Sequence, residues 1–206
     1  MPQAVPIQRV TQISEDHCGP AVLQMQLEAV GHTFSQEEIT RAADAEFTII
    51  DTGVTVDQLG KACKILAPQT QFWYKYYATL DDIRYLLERG FPVGVEWKGL
   101  FYETEEEEAA EKDEDSDFGH YSIVSHMDDE LEELIIVDPY KDFVDRNRIF
   151  DYDFFQRRWW DTNDIKDPHT GQIRTVKDEQ LLFFVAPVGT YFPREMGFKA
   201  FSLIEE

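Results

Sequence analysis

The chain has 206 residues, 43% of them apolar and 14% aromatic, with 41 acidic against 19 basic residues and a net charge of −22. That is enough chain to bury a core as one domain or as two lobes sharing a cleft, and two cysteines do not make a disulfide framework. So negative a surface repels nucleic acid and anionic lipid and favours neutral or cationic partners. No apolar run approaches the ~18 residues that a membrane span requires.

The start, MPQAVPIQRV, lacks the basic and then apolar blocks of a secretory signal, which reads as cytoplasmic. Residues 18–31 read as a helix, with Pro20 in the first turn, where a missing N–H costs nothing, and Gly31 just past the end. Its two apolar stripes, Val22/Met25/Ala29 and Leu23/Leu27/Val30, predict burial around much of the circumference. The stretches SQEE (35–38) and TVDQ (55–58) have capping-box spacing and open two further helices. In the second of these Cys63 falls on the core face, with Val56, Leu59 and Leu66. A fourth helix spans about 80–89, behind Thr79 and before Gly90.

The character then changes. Five β-branched or aromatic runs, QFWYKYY (71–77), FPVGVEW (91–97), HYSIVSH (120–126), ELIIVDP (133–139) and QLLFFVAP (180–187), read as strands. A helical front followed by a strand-rich rear predicts an α+β fold with an antiparallel sheet. We expect one domain over 1–206, with a helical lobe at about 12–90 and a sheet lobe at about 91–190. The run ETEEEEAAEKDEDSD (103–117), ten acidic residues and one lysine, predicts an extended acidic insertion loop. The stretch FDYDFFQRRWWDTND (150–164) reads as a helix packed on the sheet.

One constellation carries chemistry. If the turn between the third and fourth strands centres near Asp129, opposed residues have numbers summing to 258, and His120 faces Asp138. That is hydrogen-bonding range for an imidazole and a carboxylate. Cys18 alone reads equally well as a packing residue. At a helix N-terminus, however, the dipole favours its thiolate. An imidazole then shuttles the proton, and a carboxylate beyond it fixes the tautomer. The Cys18 N–H and the Gln12 side-chain amide are candidate oxyanion donors.

Gln12, five residues, then CGPA on a helix, with GHY opening one later strand and VDP closing the next, resembles the double-glycine (bacteriocin-leader-processing) peptidases. These belong to the papain-like cysteine peptidases. The resemblance implies a helical lobe packed against an antiparallel sheet with a cleft between them. It implies Cys18 as nucleophile, His120 as base, Asp138 as orienting residue and Gln12 as oxyanion donor. His17, Gly119 and Trp160 are candidate substrate contacts. The expected function is peptide-bond hydrolysis on a peptide or protein substrate, with a cationic one favoured by charge. The alternatives are an amine-accepting transpeptidase on the same site, or an inactive peptidase-like scaffold holding a basic partner. No cofactor or metal is expected: neither cysteine lies in a CxxC pair, the histidines are scattered, and DEDSDFG (113–119) puts its glycine one place late for a calcium loop.

Overall fold

The computed structural model describes residues 3–111, 119–166 and 170–203. Four helices lead: α1 (Cys18–Ala29), α2 (Gln36–Ala42), the single-turn α3 (Ile49–Thr52) and α4 (Val56–Leu66), preceded by the two-residue strand β1 (Gln3–Ala4). Both expected capping boxes form, Ser35 with Glu38 and Thr55 with Gln58. A third, Thr79 with Asp82, opens α5 (Leu80–Glu88). Each box satisfies two backbone N–H groups that a helix start otherwise leaves open. Thr55→Ala is expected to cost about 1 kcal/mol and to lower the midpoint of a thermal melt by about 2–4 °C.

The strands β2 (Thr70–Lys75), β3 (Val93–Lys98), β4 (Gly119–Asp128), β5 (Glu133–Val137), β6 (Arg148–Asp151), β9 (Leu182–Pro187) and β10 (Lys199–Ala200) form the main sheet. Its order is β10-β2-β9-β3-β4-β5-β6, antiparallel throughout, with β1 pairing to β4. Strand alternation divides the core between its two faces. Phe183 and Val185 join the α1, α2 and α4 side; Leu182, Phe184 and Ala186 join the side of α5 and α7 (Tyr152–Arg158). Helices therefore cover both faces, with the N-terminal ones on one of them. Gly94 is required where the sheet meets Phe183, since a Cβ there would lie 2.5 Å from the ring.

Three expectations change. The 150–164 helix stops at Arg158: Asp151 caps it, and after Trp159 the chain becomes strand β7 (Trp160–Lys166), which pairs with β8 (Ile173–Glu179) as a separate two-stranded sheet. The acidic run is helical at α6 (Glu105–Glu111) rather than extended. Glu and Ala are good helix formers, Thr104 Oγ1 accepts the Glu107 N–H, and Arg158 pairs with Glu105 and Glu108. The remainder of that run, 112–117, lies outside the described residues. In the β4–β5 hairpin, Ile123 faces Val137, and the register shifts between Val124 and His126. On the His120 side of that shift pairing is offset by two from the expected sum, and on the turn side by three. An offset of two keeps every side chain on its face, where an offset of one would not. No helix among the described residues is long and apolar enough to cross a membrane.

Candidate active site

The segment before α1 sets the position of the first site residue. Gln12 N–H donates to Pro139 O (2.9 Å), tying this segment to the chain just beyond β5. The Gln12 side-chain Nε2 donates to Ser14 O (2.8 Å) and Glu15 O (2.9 Å), which curls QISED into a tight loop. Lys141 Nζ reaches Glu15 Oε1 (2.6 Å) and closes it from outside. His17 then takes the N-cap position without a side-chain cap, and no acidic residue lies in the first turn. The backbone N–H groups of Cys18 and Gly19 are thus left unclaimed by any cap, and the positive end of the helix dipole falls on the Cys18 thiol. Cys18 is free and half-buried.

His120, at the start of β4, is 3% exposed. Its Nε2 lies 2.7 Å from Asp138 Oδ1, and its ring meets Phe101 edge-on at 5.1 Å between centroids. Burial alone would drive the imidazolium down. The Asp138 charge and hydrogen bond, with the Cys18 sulfur as the ring's other hydrogen-bond partner, more than reverse that and raise His120 to about 10. Asp138 is fully buried. Burial would raise its carboxyl, but His120, Arg148 and the Tyr140 N–H (2.9 Å) hold it down to about 2.

Sequence reasoning missed Arg148. Its Nη1 donates to Asp138 Oδ2 at 2.7 Å, and Nη2 donates to Leu100 O. The guanidinium sits 3.9 Å from the Phe143 ring centre and 5.0 Å from that of Phe150. The only sequence signal is an arginine between polar residues and an aromatic strand, in RNRIF, ten residues after Asp138.

The structure thus brings Cys18, His120 and Asp138 together, with Gln12 beside them. Both Gln12 amide hydrogens are already bonded, while its Oε1 is buried without a partner. A cleft of about 690 Å³ opens at Cys18 and Gly119. Its walls are α3, Glu96 and Tyr121 of the sheet, and the β7–β8 hairpin that the sequence reading had not anticipated. His17 and Trp160 are not among its lining residues: His17 Nδ1 bonds Ser14 Oγ (2.7 Å), and Trp160 Nε1 donates to Arg157 O while Lys98 and Lys177 flank its ring. Cys63 is buried against Thr70, and burial pushes its thiol up to about 11.

Gly119 has no room for a side chain, because a Cβ would fall 1.8 Å from Asp161 Oδ2. Gly119→Ala is expected to push the Asp161 carboxylate out of its ion pair with Lys98 (3.1 Å) and into the cleft. We expect at least about a tenfold loss in kcat/KM with an unchanged circular-dichroism spectrum.

Residues 4–167 match the Peptidase_C39 like family. No curated protein matches the chain in sequence. Among solved structures, one similar chain is the peptidase domain of Streptococcus ComA, a bifunctional ABC transporter of a quorum-sensing pathway. It is 21% identical, with a TM-score of 0.56 over 86% of this chain and 96% of that one. A double-glycine-motif protease from an AMS/PCAT transporter, solved with a leader peptide, is 16% identical, with a TM-score of 0.55 over 90% and 94%. A C39-like peptidase from Bacillus anthracis is 14% identical, with a TM-score of 0.61 over 89% and 97%. At these identities the likeness carries the fold, which is α+β and papain-like.

Proposed function

Because the chain belongs to the Peptidase_C39 like family, a family of cysteine peptidases, we propose that it cleaves a peptide or protein through Cys18, His120 and Asp138. The observation that carries this reading is the buried His120–Asp138 pair set against a thiol at an uncapped helix start. The Cys18 thiolate attacks the amide carbonyl carbon, and the carbonyl oxygen becomes an oxyanion. The Cys18 backbone N–H stabilises that charge. His120, protonated throughout the neutral range, gives its proton to the leaving amine. Water then attacks the thioester, His120 takes the proton back, and the acid leaves. An amine in place of water gives transpeptidation on the same residues.

Gln12 is the proposed second oxyanion donor. To serve, its amide turns one N–H from Glu15 O toward the oxyanion. Gln12→Ala is expected to lower kcat by about 10²-fold, the usual loss for one such donor, with a smaller change in KM. The bonded state of that amide is also what favours the second reading, a peptidase-like scaffold that binds without turnover. Mass spectrometry on a diverse peptide mixture, with and without added amines, separates the three. New termini that vanish in Cys18→Ala mean hydrolysis, amine adducts mean transpeptidation, and an unchanged mixture means a scaffold. The leader peptide bound to the transporter protease makes a peptide the first substrate class to screen.

A further inference from the structure

The cleft beside Cys18 is lined by Asp16, Asp51, Glu96, Asp161 and Asp164 and, among its described lining residues, by no lysine or arginine. Acidity at the rim is ordinary for so acidic a chain. Glu96 at the floor is not. It sits mid-strand in β3, 1% exposed, and its Oε2 accepts no hydrogen bond. Its Oε1 accepts only a long bond from Asn163 Nδ2 (3.2 Å), a group shared with Asp178 (2.9 Å). The Tyr121 hydroxyl, also lining the cleft, lies beside Glu96 and feels the charges of Glu96 and Cys18, while burial and the charges of Asp161 and Asp178 push the Glu96 carboxyl well above the usual carboxylate range. A buried, half-satisfied carboxyl costs roughly 1–3 kcal/mol or more. A structural role at this position would be served better by an apolar residue.

From this geometry we infer that the cleft selects a basic residue, lysine or arginine, at the position whose carbonyl Cys18 attacks, with Glu96 determining that specificity. The inference rests on the peptidase reading of Cys18. A cationic side chain entering past Gly119 meets Glu96 Oε2 and the Tyr121 oxygen; its charge offsets the burial and like-charge repulsion that keep Glu96 protonated, so the carboxyl releases its proton to solvent and accepts the cation's hydrogens. Asp161 cannot replace Glu96 in this role, since Lys98 already pairs with it. Nor does a metal ion fit, because no group of three His, Cys, Asp or Glu among the described residues is arranged to hold one. Buried charge pairs of this kind recognise by rejection as well as attraction, since a neutral side chain leaves the carboxyl unanswered.

Two probes of Cys18 test this. Dipeptide aldehydes ending in argininal or norleucinal add reversibly to a nucleophilic thiol, the sulfur bonding to carbon and the proton passing to oxygen. Argininal is expected to protect Cys18 from alkylation at a concentration at least about tenfold below norleucinal, a 1.4 kcal/mol preference, and Glu96→Gln to remove most of that difference. Cationic and anionic methanethiosulfonates, whose sulfur the thiol captures with release of methanesulfinate, report the cleft without any peptide chemistry. In 0.5 M salt, which screens the distant surface charge, the cationic reagent is expected to react faster and Glu96→Gln to reduce that preference. Equal protection by both aldehydes overturns the inference and leaves the peptidase reading intact. If neither aldehyde captures Cys18, the peptidase reading fails and the methanethiosulfonate ratio decides. A ratio unchanged by Glu96→Gln overturns the cation site, and a ratio that falls upholds it. Tyr121→Phe, which removes the other oxygen that the cation meets, serves as a second variant should Glu96→Gln fold poorly, and the same loss of preference is expected of it.

Discussion

His120→Ala is expected to lower peptide cleavage by about 10³–10⁴-fold, the usual loss when a buried acid–base partner is removed. The variant keeps a thiol at an open helix end but loses the group that moves the proton. Asp138→Asn is expected to approach the same loss by a different route. In the native site the carboxylate overrides burial, which is the largest single influence on the ring and acts to neutralise it. Without that charge burial wins, and the ring is neutral at pH 7. Proton NMR of the His120 ring checks this directly: a titration close to 10 in the native protein, and one below neutrality in Asp138→Asn. The two shifts also fix the pH window of stability. A histidine raised to about 10 contributes stability that is complete below its unfolded value of about 6.5 and fades as pH rises through 10. An aspartate lowered to about 2 contributes stability present above its unfolded value of about 3.9 and lost as pH falls through 2. The pair thus supports the fold fully between about pH 4 and 6.5, and progressively less above that.

Arg148→Met is expected to cost about 3–5 kcal/mol in unfolding free energy, measured by urea denaturation. The methionine fills the aromatic slot of Phe143 and Phe150 but leaves Asp138 Oδ2 and Leu100 O without their donor in a dry site. A fold held by about 5–15 kcal/mol in total cannot absorb this easily. Arg148 touches no substrate; it is a positioning residue for Asp138. Its loss should therefore lower the titration midpoint of His120 by freeing Asp138 to turn away from the ring, whereas removal of a nearby positive charge alone would raise that midpoint. Arg148→Lys, which restores charge but not the two-pronged geometry, is expected to recover part of both.

Much of this is legible in the sequence, for physical reasons that differ by residue. Cys18 announced itself because Pro20 marks a helix start and a helix start is electrostatically distinctive. His120 and Asp138 were reachable because a hairpin with the right parity brings same-face residues close even when its register is wrong by two. Capping boxes are local, so Ser35 and Thr55 were legible too. What failed was non-local. In β7, WDTNDIK is poor in strand formers and is strand only because β8 lies beside it, so the aromatic spacing just before it suggested more helix than exists. In the acidic run, charge repulsion alone favours an extended chain, but Arg158, 47 residues beyond Glu111 in sequence, pairs with Glu105 and Glu108 and offsets it. Neither Arg148 nor the floor position of Glu96 leaves any periodic trace.

The alkylation rate of Cys18 by iodoacetamide against pH, with peptide mapping, tests the account at its centre. Cys63 is an internal reference, buried and with its thiol pushed up to about 11. Cys18 is expected to be alkylated readily at pH 6, and His120→Ala to abolish that reactivity. A rate that follows an ordinary thiol titration near 8.5, and that His120→Ala leaves unchanged, would contradict it.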